Sequence, residues 1–421
     1  MLRSLLFETF CAYSIGSIQV NRERHNVELI LGAARRKPRR TVLSTAIFAA
    51  LCSACLSAAA QQSVGTGTST VFATGNFILP EGIGAAPSSF GGGYLVSDPA
   101  AETIYRIGPN GGAATVFSTP NFYTYAGTQL STYYNGTSIA GQYLEVGSSG
   151  YTGMGDLISS NGTATTLFTA SNSSYSGVVT AQSNYGSIKS GQEVLIDQLG
   201  GANGAGEIDV LNKNGTLSRF AAFPEASTLS PGASVSRAFG IGFAPSGFGK
   251  YSGDLFASDD ASGSLYVVNA QGQSSLFAQV TLPTSAQSPG LRQFAWAPAG
   301  FGQYSGDLFV SVAAQIDGGG SAGEIEVFNA NGQEVGLYEQ GSGTNPLDPR
   351  GLLFTSIKGQ TELLAVNADP EIDVITPASF KATAAPEIDA NTASAALTLL
   401  FGALAVLAGH RRRHACAPQT A

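Results

Sequence analysis

The chain has 421 residues and a formal net charge of −8, and 12% of its residues are charged. Between Gln61 and Ala385 it contains ten lysines and arginines, 24 aspartates and glutamates, and neither cysteine nor histidine. This composition excludes disulfide frameworks, thiolate nucleophiles, Cys/His zinc sites and histidine general bases from that stretch. Its acidity argues against nucleic acid as a partner, because cations that neutralise phosphates supply most of that affinity.

The first recognisable element is an export signal. A basic segment, Arg35 to Arg40, precedes an apolar stretch from Val42 to Leu56, and small residues follow up to Ala60. This order is that of a secretory signal peptide. We therefore expect residues 1–60 to be an N-terminal extension and signal peptide, with the exported protein beginning near Gln61.

Repeats dominate the region from 61 to 380. Phe243–Phe256 and Trp296–Phe309 are 53 residues apart and share the pattern Pro-x-Gly-Phe-Gly-x-Tyr-Ser-Gly-Asp-Leu-Phe. Short strands linked by glycine-rich turns follow both copies, and no long apolar pattern of helical spacing occurs before the C-terminal tail. A period of this size is typical of propellers and solenoids. The region is therefore predicted to be all-β.

Six such units can be traced. Their innermost strands are predicted at Tyr94–Asp98, Tyr143–Gly147, Glu193–Asp197, Leu255–Asp259, Leu308–Val312 and Leu363–Asn367. A six-bladed β-propeller is favoured over a flat six-unit solenoid, because Thr70–Ala73 resembles the strands that end other units, such as Leu276–Ala278. The N-terminal strand would then supply the outer strand of the last unit and close the ring.

The repeated pattern resembles that of secreted bacterial six-bladed propellers, in particular PEP-CTERM proteins. Asp98–Ile107 is also similar to NHL-type repeats of the NHL/TolB-like propellers. The resemblance implies that Phe248, Tyr251, Phe301 and Tyr304 pack where successive blades meet.

A metal site is one interpretation of the predicted strand ends. Aligned by their last residues, four of the six units end in Asp98, Asp197, Asp259 and Asn367, whereas Gly147 and Val312 end the other two. Oxygen ligands around one axis suit Ca²⁺, although no cofactor is required by the sequence. Resemblance to gluconolactonase-type propellers implies a channel metal. The alternative is that each aspartate accepts backbone N–H bonds and starts a turn.

The C-terminal tail has a membrane-length apolar run. Seventeen uncharged residues, Ala393–Gly409, follow Pro386-Glu387-Ile388-Asp389 and precede Arg411, Arg412 and Arg413. Roughly 17 to 25 residues span a bilayer, and flanking arginines mark the cytoplasmic end. We expect a linker at 381–392, a transmembrane helix with its arginine stop at 393–413 and a cytoplasmic tail at 414–421.

This tail resembles the PEP-CTERM sorting signal, although Ile388 stands where that signature has a second proline. The resemblance implies export across the inner membrane, an anchored intermediate and an exosortase-type sorting enzyme as partner. A plain, unprocessed membrane anchor is the alternative.

The expected function is that of a non-enzymatic binding or structural module at the cell surface or in the extracellular matrix. Exopolysaccharide or other matrix components would be its partners. The alternative is a metal-dependent, lactonase-like hydrolase that uses Asp98, Asp197, Asp259 and Asn367 as oxygen ligands.

Overall fold

The structure is a computed structural model that describes residues 69–86, 88–120, 122, 130–133, 142–201, 206–212, 214–223, 238–260, 262–280, 282, 290–313, 323–339, 348–368 and 371–383. These residues lie in one unit of the chain, Gln62–Ala421. The expected signal peptide, sorting motif and transmembrane helix fall outside them. Within the described ranges, no helix has the length and apolar character needed to cross a membrane.

Twenty-six strands follow one another through these ranges. They are β1 (Thr70–Thr74), β2 (Gly82–Ala85), β3 (Tyr94–Asp98), β4 (Thr103–Ile107), β5 (Gly112–Ala113), β6 (Thr115–Ser118), β7 (Leu130–Tyr133), β8 (Gln142–Ser149), β9 (Thr152–Ile158), β10 (Ala164–Ser171), β11 (Tyr175–Thr180), β12 (Glu193–Asp197), β13 (Glu207–Leu211), β14 (Leu217–Ala222), β15 (Ala238–Phe243), β16 (Leu255–Asp259), β17 (Ser264–Val268), β18 (Ser274–Gln279), β19 (Gly290–Trp296), β20 (Leu308–Ala313), β21 (Glu324–Phe328), β22 (Glu334–Glu339), β23 (Pro349–Ile357), β24 (Gln360–Asn367), β25 (Glu371–Ile375) and β26 (Lys381–Ala382). Short 3-10 turns occur at Ser88–Phe90, Gly249–Tyr251, Gly302–Tyr304 and Pro377–Ser379.

The strands form six antiparallel blades, which confirms the predicted all-β six-bladed propeller. Blades 1 to 5 are the sheets β2-β3-β4-β6, β7-β8-β9-β10, β11-β12-β13-β14, β15-β16-β17-β18 and β19-β20-β21-β22, and blade 6 is β23-β24-β25-β1. The first strands of neighbouring blades contact one another around a closed ring, from β2 through β7, β11, β15, β19 and β23 back to β2.

The strand predicted to be innermost in each unit is in fact the second strand of its blade. Tyr94–Asp98 and Leu255–Asp259, for example, pair with β2 and β15, which lie closer to the axis. The second strands of blades 1, 3, 4 and 5 are buried at every position.

The N-terminal strand closes the ring, as predicted. Thr70 pairs with Val374 and Thr74 with Glu371, so that β1 is the outer strand of blade 6. On its other edge β1 runs parallel to β5, which belongs to the hairpin of blade 1. The closing strand is therefore hydrogen-bonded to both the first and the last blade.

The apolar core lies between blades. Phe248 packs against Phe256 and Phe277 of its own blade and against Trp296 of blade 5. Phe301 contacts Phe354 of blade 6 in the same way, with the ring centroids 4.9 Å apart. Phe248 and Phe301 therefore pack at blade junctions, as predicted. The ring contacts of Tyr251 are with Phe256 and Phe277 of its own blade, and those of Tyr304 are with Phe309 of its own blade and with Phe380.

Candidate functional site

The four residues predicted to bind metal lie at one end of the ring. Asp197, Asp259 and Asn367 pair with Tyr175, Ala238 and Pro349, which are the first residues of three innermost strands. Asp98 ends β3 at the equivalent place in blade 1. Because they end second strands, all four are one strand away from the axis.

Their side chains bind the protein's own backbone and side chains. Asp98 accepts N–H bonds from Ile78 (2.6 Å), Leu79 (3.1 Å) and Ala101 (3.0 Å). Such bonds are those expected of the turn interpretation. Metal ligation by these residues would have to compete with them.

The other three behave similarly. Asp197 accepts from the N–H of Ser174 (2.9 Å) and Leu199 (3.0 Å). Asp259 accepts from the N–H of Ser262 (3.4 Å), and the Asn367 amide donates to Asp373 (2.6 Å).

An acidic group in blade 3 includes one of the predicted ligands. Carboxylate oxygens of Asp197, Glu207 and Asp209 lie within 4.8 Å of one another, which among the described residues is the one group of three or more that meets this distance. Glu207 is directly opposite Asp197 in the ladder, and Asp209 is opposite Leu195. Sequence reasoning missed Glu207 and Asp209.

The surroundings of this group set its charge. Burial, followed by the neighbouring Glu207 carboxylate, raises the pKa of Asp209 to about 6. The Tyr175 hydroxyl donates to Asp209 Oδ2 (3.2 Å), and the Arg219 Nε lies 3.1 Å from Glu207 Oε2. Burial raises the pKa of Tyr175, so the phenol remains a donor. A hard cation would relieve the repulsion among these carboxylates.

Two buried arginines on innermost strands were not anticipated. Arg350, at the start of β23, binds the carboxylates of Glu81 and Asp348, the latter at 3.1 Å. Arg292 on β19 lies 3.3 Å from Asp260 Oδ2, and its guanidinium is 4.7 Å from the centre of the Phe239 ring. The positive charges near the axis are therefore matched by carboxylates.

Serines on second strands hold these arginines in place. Ser258 Oγ accepts from Gly240 N–H (2.8 Å) and donates to the carbonyl of Arg292 (2.6 Å). Ser311 Oγ accepts from Gln293 N–H (3.0 Å) and donates to the carbonyl of Arg350 (2.9 Å). Each hydroxyl joins the innermost strands of two neighbouring blades, so this end of the ring is tied together at its centre.

A small pocket lies beside Asp98. Its cavity volume is about 10 Å³, and Glu102, Phe122 and Glu145 are among its lining residues. Small-molecule sites usually measure about 300 to 1,000 Å³. The pocket is therefore smaller than a typical substrate site.

The C-terminal tail matches a known family of sorting domains. Residues 385–415 match the VPEID-CTERM protein sorting domain. The name of that domain contains the letters of Pro386-Glu387-Ile388-Asp389, so the isoleucine that departs from the PEP signature fits this variant. No curated protein matches the chain.

Several solved propellers are similar to the chain. A gluconolactonase from Xanthomonas campestris has a TM-score of 0.49 and 13% identity, with 77% of this chain and 92% of that one covered. A putative gluconolactonase has a TM-score of 0.48 and 17% identity, with 76% and 94% covered. The calcium-binding protein regucalcin from Agrobacterium tumefaciens has a TM-score of 0.46 and 13% identity, with 73% and 95% covered.

Proposed function

We propose that this chain is an exported six-bladed propeller that an exosortase-type enzyme sorts to the cell surface or the extracellular matrix, where it serves as a non-enzymatic binding or structural module. The observation that carries the proposal is the sorting domain at residues 385–415, which begins just after the last strand of a closed propeller. The basic and apolar segments before Gln61 support export. The inner membrane would hold the intermediate through residues 393–413.

Three observations favour a binding role over catalysis. The region from 61 to 385 has neither histidine nor cysteine, the residue types that most often act as general base or thiolate. Asp98, Asp197 and Asp259 bind backbone N–H groups. The pocket beside Asp98 has a volume of about 10 Å³, roughly the space that one water molecule needs.

Binding can be tested with the protein purified after cells that express it have exported and released it. Purified protein would be applied to carbohydrate arrays and to isolated extracellular matrix. We expect retention by one class of matrix polysaccharide or by the matrix itself. Uniform absence of retention would contradict the binding role, whereas failure of the cells to shorten the chain by its tail would contradict sorting.

A second candidate function is a metal-dependent, lactonase-like hydrolase. The carboxylate group of Asp197, Glu207 and Asp209 favours it, because these oxygens lie close enough to share a cation. The hydrolase would need a bound divalent ion, so metal analysis and melting with Ca²⁺ separate the two functions. A rise in Tm that Asp197→Ala abolishes, together with lactone hydrolysis, would favour the hydrolase. An unchanged Tm would exclude it.

A further inference from the structure

One residue of the outer strand is bulged in every blade. The pairing between the third and outer strands skips Phe72, Phe117, Leu167, Phe220, Phe277 and Val335 in turn. A bulge of this kind takes the carbonyl of the skipped residue out of the ladder and turns it away from its own blade. Five of these six carbonyls contact the same kind of turn in the next blade.

The partner in each case is the glycine of a hairpin turn. The turns that follow the third strands of blades 1 to 5 contain Gly111, Gly162, Gly215, Gly272 and Gly332, with φ between 75° and 83°. A Cβ on each glycine would lie 2.0 to 3.1 Å from the bulged carbonyl oxygen of the preceding blade. We call each bulged carbonyl, together with the segment that meets it after the third strand of the next blade, a latch. Five blade junctions therefore have a latch that only glycine fits.

The junction between blades 5 and 6 has no such hairpin. The outer strand of blade 6 is β1, which comes from the other end of the region, so no turn joins it to β25. At this junction the bulged carbonyl of Val335 accepts a bond from the N–H of Thr383 (3.2 Å). The segment Pro377–Thr383 thus occupies the place of the missing hairpin turn.

The segment is held by more than this bond. Leu337 pairs with Lys381 and Gly336 with Ala382, which makes β26 a fifth strand on blade 5. Phe380 is fully buried, and its ring centroid lies 5.0 Å from that of Phe309 and 5.5 Å from that of Tyr338. This pairing extends the propeller into residues that the sequence assigned to the linker.

We propose that Pro377–Thr383 is the sixth latch of the ring, and that it couples closure of the ring to presentation of the sorting domain. Two residues separate Thr383 from Pro386. Consecutive Cα atoms are about 3.8 Å apart, so the sorting motif of a closed propeller starts within about 11 Å of the blade edge. If the segment is released from blade 5, the motif is on a tether that is longer by seven residues. The second half of this proposal rests on the proposed sorting function.

Hydrogen exchange on the full chain tests the latch. Thr383→Pro removes the donor to Val335, whereas Thr383→Ala keeps it and serves as the matched control. We expect Thr383→Pro to raise exchange in β22 and β26 at least tenfold and to leave β14 of blade 3 unchanged, with no change in Thr383→Ala. Equal behaviour of the two variants, or an equal rise in β14, would overturn the latch. Phe380→Leu tests the same regional effect if Thr383→Pro does not fold.

Spin labels test the coupling. In a full chain with its four cysteines replaced by serine, labels at Leu276→Cys and Ala385→Cys are expected to give one narrow distance distribution. Phe380→Leu should broaden that distribution. A broad distribution in the unaltered ring would overturn the coupling. Neither measurement requires export or processing, so a failure here is distinct from a failure of the sorting function.

Discussion

Arg350 and Glu81 are 269 residues apart in the chain and form a buried ion pair between the last and the first blade. Arg350 is the second residue of the innermost strand of blade 6, and Glu81 immediately precedes that of blade 1. The pair therefore closes the ring at its centre, while β1 closes it at the rim. Burial lowers the pKa of Arg350, but Glu81 and Asp348 more than compensate, so the guanidinium stays charged.

Removing the Arg350 side chain is expected to be strongly destabilising. Arg350→Ala leaves the Glu81 carboxylate buried without its cation, and loss of one partner of such a pair costs about 3 to 5 kcal/mol. The measurement is the free energy of unfolding from urea titration. The control is Arg219→Ala, because the Arg219 side chain is 54% exposed and its ion pair with Glu207 should be worth less than about 1 kcal/mol. Equal losses in the two variants would contradict a special role for the central pair.

The aromatic contact between blades 5 and 6 provides a second prediction. Phe301 is fully buried against Phe309, Phe354 and Phe380. Phe301→Ala should lower the free energy of unfolding by about 3 to 5 kcal/mol, a large share of a typical 5 to 15 kcal/mol. Tyr151→Ala is the control, because Tyr151 is 76% exposed and its loss should change stability by less than about 0.5 kcal/mol. A small effect of Phe301→Ala would mean that the junction repacks.

The closing strand could be predicted from the sequence because the latches leave a trace in it. Val71-Phe72-Ala73 resembles Leu276-Phe277-Ala278, and the structure shows that Phe72 and Phe277 are both bulged residues of outer strands. The motif aromatics Phe248 and Phe301 were visible because two successive junctions repeat the same contact. Six blades could therefore be counted without coordinates.

The channel wall could not be predicted in the same way. The innermost strands β2, β11 and β19 read Gly-Ile-Gly-Ala, Tyr-Ser-Gly-Val-Val-Thr and Gly-Leu-Arg-Gln-Phe-Ala-Trp, and they share no pattern. The uniformly buried second strands were mistaken for them. Arg292 and Arg350 were missed with these strands. β26 was missed because two residues held by backbone bonds leave no signal in the sequence.

The latch geometry predicts different costs for two glycines with the same backbone conformation. Gly111 has a φ of 81° and Gly359 a φ of 82°. A Cβ on Gly111 would lie 2.1 Å from the carbonyl oxygen of Phe72, whereas one on Gly359 would meet nothing within 4 Å. In both alanine variants the positive φ should lower the free energy of unfolding by about 1 to 2 kcal/mol. Gly111→Ala should lose about 1 to 3 kcal/mol more, because the neighbouring backbone has to shift.

Urea unfolding gives the free energy of unfolding of both variants. The difference between the two values measures the contact between blades 6 and 1, because the cost of the backbone conformation is the same in both. Equal losses would show that the turn can move away from Phe72, and would remove the basis for treating the five glycines as latches.

Stability should fall as the pH rises from weakly acidic to weakly basic. Burial, followed by repulsion from Glu324 and Glu334, raises the pKa of Glu326 to about 8, and burial raises that of Asp307 to about 7. Unfolded carboxyl groups have pKa values of about 4. Between these limits the folded state binds more protons than the unfolded state, so the free energy of unfolding decreases with rising pH. The stabilising contribution is complete below about pH 4 and is lost through about pH 8.

Glu326→Gln removes one of these titrations and keeps the shape of the side chain. We expect the variant to be more stable than the parent by an amount that is smallest at pH 5 and largest at pH 9, because the parent must then ionise a buried carboxyl at about 1.4 kcal/mol for each pKa unit. Urea unfolding at pH 5, 7 and 9 measures how the free energy of unfolding changes with pH. Glu371→Gln on blade 6 is the control for the loss of one acidic group. If Glu326→Gln and Glu371→Gln change the slope equally, net charge rather than the burial of Glu326 sets the pH dependence.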